Sequence, residues 1–174
     1  MLHHPTLDKL TTLRLTGMHK ALSEQLALPN IDDLSFEERL GLLADRELTE
    51  REDRRLQTRL RQARLKQSAC LEDLDTRTPR GLDKALVAQL AAGQWIRKGL
   101  NLLLLGPTGV GKTWIACALA QQACRQGYTT RYLRAPRLCE DLLLAHADGR
   151  FPKLMASSAK TDLIVLEGWG QTSL

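Results

Sequence analysis

Leucines recur at helical spacing along the first third of the chain. Leu7, Leu10 and Leu13 form one apolar stripe, and a second short stripe is made of Met18, Leu22 and Leu26. Such i, i+3, i+4 spacing is typical of helices that bury one face. The pattern predicts a helix over residues 6–15, a break at Gly17 and a second short helix, followed by a turn at residues 29–33.

A longer helix is predicted to begin after Ser35. Ser35 and Glu38 have the S-x-x-E spacing of a capping box, in which each side chain bonds the backbone N–H of the other residue. The apolar positions that follow extend this helix to about Gln67. Leu56 and Leu60 share one side of it, whereas Leu65 falls on the opposite, basic side and breaks the pattern.

The second half of the chain changes from helical spacing to short apolar runs separated by helical segments. Three runs are predicted as strands, at residues 102–105, 129–133 and 162–167. Strands that alternate with helices are typical of an α/β fold with a parallel sheet. With Pro79 and Gly81 marking a linker, we predict a helical region (1–67), a linker (68–81) and an α/β domain (82–174).

The junction after the first of these strands carries the clearest chemical motif. It reads G-P-T-G-V-G-K-T and matches G-x-x-x-x-G-K-[ST], the phosphate-binding loop of nucleotide hydrolases. The predicted nucleotide-binding residues are Gly106, Pro107, Thr108, Gly109, Val110, Gly111, Lys112 and Thr113. Glycines let the backbone turn its N–H groups toward phosphate oxygens at the N-terminus of a helix. Lys112 is predicted to reach the β- and γ-phosphates of ATP, and the Thr113 hydroxyl to bind Mg²⁺.

A P-loop also needs an acid at the end of a neighbouring strand to hold the metal ion. Glu167 ends the run L-I-V-L-E and stands where an Asp is expected, so we assign it as the second Mg²⁺ ligand. Gly168 stands where many ATPases carry the acid that polarises the attacking water. A strand-end acid without a metal role is the alternative reading of Glu167. The sequence therefore predicts ATP binding with impaired hydrolysis.

The net charge of +5 is concentrated in one segment. Between residues 51 and 66 there are seven basic residues and two acidic ones, and seven minus two accounts for the whole excess. The seven are Arg51, Arg54, Arg55, Arg59, Arg61, Arg64 and Lys66. A solvated helix face laced with salt bridges is the alternative, but the one-sided charge favours contact with nucleic acid, and we predict binding to double-stranded DNA.

The composition argues against several other classes of protein. No apolar run approaches the ~20 residues of a membrane span, and the N-terminus lacks the pattern of a signal peptide. The four cysteines form no C-x-x-C pair, so neither zinc nor disulfides are expected. These features predict a cytoplasmic protein that does not contact the membrane.

Several stretches together resemble one known family. L-S-F-E-E-R-L-G-L-L, C-L-E-D-L-D-T-R-T-P-R-G-L-D, G-P-T-G-V-G-K-T-W-I-A-C-A-L and R-Y-L-R-A-P-R-L resemble IstB, the ATP-binding helper of IS21-type insertion sequences. The resemblance spans essentially the whole chain. It implies an AAA+ type P-loop domain behind an all-α N-terminal region that engages DNA. It also implies self-assembly on target DNA and assistance to a partner transposase.

The chain departs from that family in two respects. The family pattern at the metal site is similar to L-I-L-D-D-W-G, and this chain has V-L-E-G-W-G. Family members also continue further, through a strand between those at 102–105 and 162–167, sensor residues and an arginine finger. We therefore expect a C-terminally truncated copy with an incomplete sheet. A helicase-loader-like ATPase and a non-hydrolysing remnant that binds ATP and DNA are the alternatives; a small-molecule kinase is disfavoured because it leaves the basic segment unused.

Overall fold

A computed structural model describes residues 5–75 and 82–169. The chain divides into two compact units between Gln57 and Thr58. Residues 76–81 of the predicted linker, with Pro79 and Gly81, lie outside the described residues. Within the described ranges, no helix is both long and apolar enough to cross a lipid bilayer.

The first unit consists of helices, as predicted. Helix α1 covers Pro5–Thr12, α2 covers Thr16–Ala27, and a short 3₁₀ turn leads into α3, Phe36–Ala63, of which residues 36–57 belong to the first unit. The predicted break at Gly17 is wrong, because the chain breaks instead at Arg14, whose φ is 58°. A left-handed residue reverses the backbone direction there, and Gly17 already lies in the first turn of α2.

The start of α3 confirms the predicted capping box, whereas its end differs from the prediction. The Ser35 N–H donates to Glu38 Oε2 at 2.8 Å, and the Glu38 N–H donates to Ser35 Oγ at 3.2 Å. The helix ends at Ala63, about four residues earlier than predicted, and Arg64 has a positive φ of 50°. Because of that turn, Leu65 leaves the basic face and packs against the core of the second unit. This explains why an apolar residue interrupts the basic side of the predicted helix.

Gly17 is needed because α2 and α3 approach each other closely at this point. A Cβ atom at Gly17 would lie 2.6 Å from both the Arg46 carbonyl oxygen and the Glu47 Cα. The buried Glu47 carboxylate accepts the N–H groups of Gly17 at 2.7 Å and Met18 at 3.2 Å, and so caps α2. A hydrogen bond from Arg51 is the main reason that the pKa of Glu47 is lowered.

The substitution Gly17→Ala is expected to destabilise the first unit by about 1–3 kcal/mol, because the added methyl group collides with backbone atoms. Gly41→Ala is the matched control, since a Cβ atom there meets nothing within 4 Å inside the same helical unit. Alanine in an open helix position is expected to stabilise by up to about 1 kcal/mol. Thermal unfolding followed by circular dichroism measures both, and equal melting temperatures would contradict the close packing.

The second unit surrounds a helix that begins at the predicted phosphate-binding loop. Its helices are α4 (Lys84–Ala91), α5 (Gln94–Arg97), α6 (Lys112–Arg125), α7 (Ala135–Ala147) and α8 (Phe151–Ser158). Small side chains of α6 form much of the core, with Cys117 and Ala118 fully buried. Ala69, from the chain that follows α3, packs against these two residues, together with Trp114 and Tyr132.

Two strands pair in parallel and confirm the predicted parallel sheet. Strand β1 covers Thr130–Arg134 and β2 covers Leu163–Glu167, with Thr130 opposite Leu163 and Arg134 opposite Glu167. The residues that precede the two strands are joined by hydrogen bonds. Asp162 Oδ2 accepts one from the Thr129 N–H and one from the Thr129 hydroxyl, each at 2.7 Å. The described part of the second unit thus has an α/β fold with a short, open parallel sheet of two strands.

The prediction of a strand at Leu102–Leu105 is wrong for the described part of the chain. This segment precedes the loop without pairing in a ladder, and Leu103 and Leu105 are 76% and 87% exposed. A strand requires a neighbour to pair with its N–H and C=O groups, and among the described residues β1 and β2 pair only with each other. Leucine-rich sequence alone therefore did not suffice to form a buried strand here.

Candidate functional site

The loop between residue 105 and α6 adopts a backbone that favours glycine. Gly106, Gly109 and Gly111 have φ values of 151°, 87° and 92°, in the region that L side chains rarely adopt. Gly111 is the residue before the first turn of α6, a helix of 14 residues. The N–H groups of that turn have no partner within the helix, and the helix dipole favours an anion there.

Lys112 folds back over this loop. Its ammonium donates hydrogen bonds to the carbonyl oxygens of Gly106 at 2.7 Å and Pro107 at 2.5 Å. The side chain is thus held on the loop side of the helix. Neutral carbonyl groups are weaker partners for an ammonium than phosphate oxygens are, because hydrogen bonds between two charged groups are the stronger ones.

Thr113 and Glu167 meet although 54 residues separate them. The Thr113 hydroxyl donates to Glu167 Oε1 at 3.0 Å. Helix α6 supplies Thr113 from its first turn, and β2 supplies Glu167 as its last residue. The two side chains predicted to hold Mg²⁺ are therefore brought together by the fold.

Glu167 also receives a charged partner that the sequence reading did not pair with it. Lys66 Nζ lies 2.7 Å from the same Oε1 atom. Burial acts to raise the pKa of Glu167, but hydrogen bonding by Lys66, Tyr132 and Thr113 outweighs it and lowers the pKa to about 2. Glu167 is therefore ionised at neutral pH. No local signal could have revealed this pair, because its members lie 101 residues apart.

Tyr132 faces Glu167 from β1. Its hydroxyl is buried close enough to Glu167 to act on the carboxylate, but within the described ranges the contact does not reach the distance and angle of a full hydrogen bond. Burial, and next the nearby Glu167 carboxylate, raise the pKa of this phenol. Tyr132 therefore remains a neutral donor near the carboxylate, and we count it as a site residue that the sequence analysis missed.

The residues present suit a magnesium nucleotide. Hydroxyl and carboxylate oxygens are the ligands that Mg²⁺ prefers, and the carboxylate is ionised. The glycine loop offers backbone N–H groups at a helix N-terminus, and Lys112 adds a positive charge. The chemistry of this donor set thus fits a divalent cation beside phosphate oxygens.

The residues predicted to bind DNA fall into two groups. Four of them have partners within the protein: Arg51 with Glu47, Arg54 with Thr16, Arg59 with the Cys124 carbonyl oxygen, and Lys66 with Glu167. Arg59 places its cation at the C-terminal end of α6, which favours positive charge. The other three, Arg55, Arg61 and Arg64, are exposed and have no ion-pair or hydrogen-bond partner in residues 5–75 and 82–169.

A glycine loop that opens a helix, beside an acid at the end of a parallel strand, defines a P-loop nucleotide-binding domain. Comparison with known families refines this class. The sequence profile of the family described as "IstB-like ATP binding protein" matches residues 8–174. The chain belongs to this family, which is associated with insertion sequences of the IS21 type.

Similar proteins from several bacteria are consistent with that assignment. An ATP-binding protein of insertion sequence IS1162 from Pseudomonas fluorescens is 57% identical over 175 residues, covering 100% of this chain and 76% of the relative. The insertion sequence ATP-binding protein y4pL from Sinorhizobium fredii is 49% identical, covering 98% and 69%. An IS21 ATP-binding protein from Pseudomonas aeruginosa is 30% identical, covering 94% and 61%. These relatives are longer than the chain.

Proposed function

We propose that this protein is an ATP-binding helper of transposition that binds duplex DNA and assists a partner transposase. The names of its relatives support this role, since each names an ATP-binding protein of an insertion sequence. In the same proposal, the helical region 1–67 engages DNA, the domain from residue 82 binds ATP, and the protein acts in the cytoplasm as a homo-oligomer.

The observation that carries the nucleotide part is the hydrogen bond between Thr113 and Glu167. It joins the loop to the strand end, which is the arrangement that metal-assisted phosphate binding requires. Backbone N–H groups of the loop bind phosphate oxygens, and Lys112 exchanges its carbonyl partners for phosphate. Thr113 and Glu167 hold Mg²⁺. When bound, this ion neutralises charge on the terminal phosphates.

The DNA part rests on the exposed arginines. Arg55 lies in the first unit, and Arg61 and Arg64 lie in the second. Because they have no protein partner in the described ranges, they are available to phosphate oxygens without first breaking an ion pair. Binding through such contacts is largely independent of base sequence. No aromatic residue is interleaved in this segment to stack on unpaired bases, which favours duplex DNA.

The double substitution of Arg55 and Arg61 by Gln is expected to weaken binding to all duplex sequences alike. If Arg55, Arg61 and Arg64 contact phosphates, the log–log salt slope is about −2.7. Removing two contacts flattens this slope by about 1.8. Fluorescence anisotropy with labelled duplexes at a series of salt concentrations measures the slope.

Arg97→Gln is the matched control, because Arg97 is an exposed cation outside the segment. It is expected to leave the slope unchanged. Arg59 is unsuitable for this test, since its removal also takes a cation from the end of α6. Weak binding with a slope that is the same in wild type and double variant would instead favour the interpretation of the segment as a solvated helix face.

The identity of the protein partner is tested by co-purification. We expect the protein to co-purify with a transposase rather than with a helicase.

A further inference from the structure

One basic residue of the segment occupies the candidate metal site. Lys66 Nζ and the Thr113 hydroxyl both bind Glu167 Oε1, at 2.7 and 3.0 Å. The same carboxylate oxygen thus has an ammonium on one side and a hydroxyl on the other. These are the two oxygen ligands assigned above to Mg²⁺, and the ammonium neutralises the charge that would attract the ion.

The backbone around Lys66 is fixed by packing on both sides. Arg64 turns the chain at the end of α3, Leu65 packs against the core, and Ala69 is buried in it. Lys66 therefore does not reach Glu167 from a loose loop. Its side chain is still 44% exposed, and that of Glu167 is 25% exposed, so solvent ions can reach the pair.

We propose that Lys66 is a tethered counter-ion that competes with the divalent cation for Glu167. This inference rests on the proposed function, because it assumes that Mg²⁺ and nucleotide bind at this site. A metal ion held by Glu167 would share the negative charge of the carboxylate with the ammonium, and at Oε1 it would take the position of Lys66 Nζ, which would then turn to solvent or to another anion. The pair therefore raises the concentration of Mg²⁺ that the site requires.

The direction of the effect follows from charge. A cation and an ammonium repel each other at one carboxylate oxygen, and a partly exposed ion pair is of modest strength. The substitution Lys66→Gln removes the positive charge and keeps a side chain of similar length. We expect it to lower the Mg²⁺ concentration at half-maximal nucleotide binding by about two- to fivefold. Lys66→Arg keeps the charge and is expected to stay near the wild-type value.

The experiment titrates Mg²⁺ into the full chain with a fluorescent, non-hydrolysable ATP analogue, so that turnover does not enter. The midpoint of the Mg²⁺ dependence is compared among wild type, Lys66→Gln, Lys66→Arg and Lys153→Gln. Lys153 is the matched control, because it is an exposed lysine of α8. In the Glu167→Gln background, Lys66→Gln is expected to have no further effect on the midpoint, since the carboxylate for which the cations compete is gone.

The outcomes separate this inference from the proposed function. A lower midpoint in Lys66→Gln alone, lost in the Glu167→Gln background, supports the competition. An equal or higher midpoint in Lys66→Gln, with nucleotide binding intact, overturns the competition and leaves the proposed function standing. A shift of the same size in Lys153→Gln overturns it as well, because the effect then reflects overall charge. Absence of nucleotide binding in the wild type at every Mg²⁺ concentration overturns both.

Discussion

Purified protein is expected to release phosphate from ATP no faster than its own Lys112→Ala variant. Gly168 follows Glu167 directly and has no side chain to orient or deprotonate the attacking water. A positioned general base contributes about 10²–10⁴ to the rate of such reactions. Glu167, the acid at the end of β2, is held by Lys66 and Thr113. We therefore expect ATP binding without measurable turnover.

The turnover rate is measured as phosphate release under saturating ATP and Mg²⁺. The Lys112→Ala protein, purified in the same way, reports any contaminating ATPase. Gly168→Asp alone is not expected to restore turnover. Its backbone φ of 77° is costly for a residue with a side chain, and Lys66 still pairs with Glu167. Steady release by the wild type at an ordinary ATPase rate, absent from Lys112→Ala, would contradict the expectation directly.

Lys112→Ala is itself expected to lower the affinity for ATP by about tenfold to a hundredfold. A charge-assisted hydrogen bond contributes roughly 1.5–3 kcal/mol, and the substitution removes the ammonium that the loop holds in place. Among the described residues, Lys112 bonds only the backbone carbonyls of Gly106 and Pro107, so its loss breaks no side-chain pair there. The fold is therefore expected to survive.

Titration with a fluorescent ATP analogue measures the loss of affinity, and circular dichroism confirms that the variant is folded. Lys98→Ala serves as the control, since Lys98 is an exposed lysine of the same unit that lies outside the loop. It is expected to bind as the wild type does. Equal affinities for ATP in Lys112→Ala and the wild type would contradict the assignment of residues 106–113 as a phosphate-binding loop.

The features that the sequence could predict depend on neighbours within a few residues. The capping box of Ser35 and Glu38 and the glycines of the phosphate-binding loop belong to this class. Each demands a residue type at a set spacing, because one hydrogen bond or one φ value decides it. The two parallel strands were also predictable, since short apolar runs alternate with helices.

The features that could not be predicted depend on residues far apart in the chain. Helical spacing extended α3 to Gln67, but Leu65 is taken into the core of the second unit and the helix ends at Ala63. The run Leu102–Leu105 has the composition of a strand and lacks a partner strand among the described residues. In the sequence, Lys66 is one of seven cations of a basic segment, and only the fold shows that it pairs with Glu167.

ATP is expected to bind at the loop ahead of α6, and isotope labelling of the glycines detects binding at that position. The chain has 12 glycines, so ¹⁵N-glycine labelling yields a spectrum with few signals. Single glycine-to-alanine variants assign the signals of interest. ATP with Mg²⁺ is predicted to shift the signals of Gly106, Gly109 and Gly111 in a saturable manner and to leave those of Gly17 and Gly41 in place. Saturable binding that leaves the three loop signals unmoved would show that ATP binds elsewhere and would contradict binding at this loop.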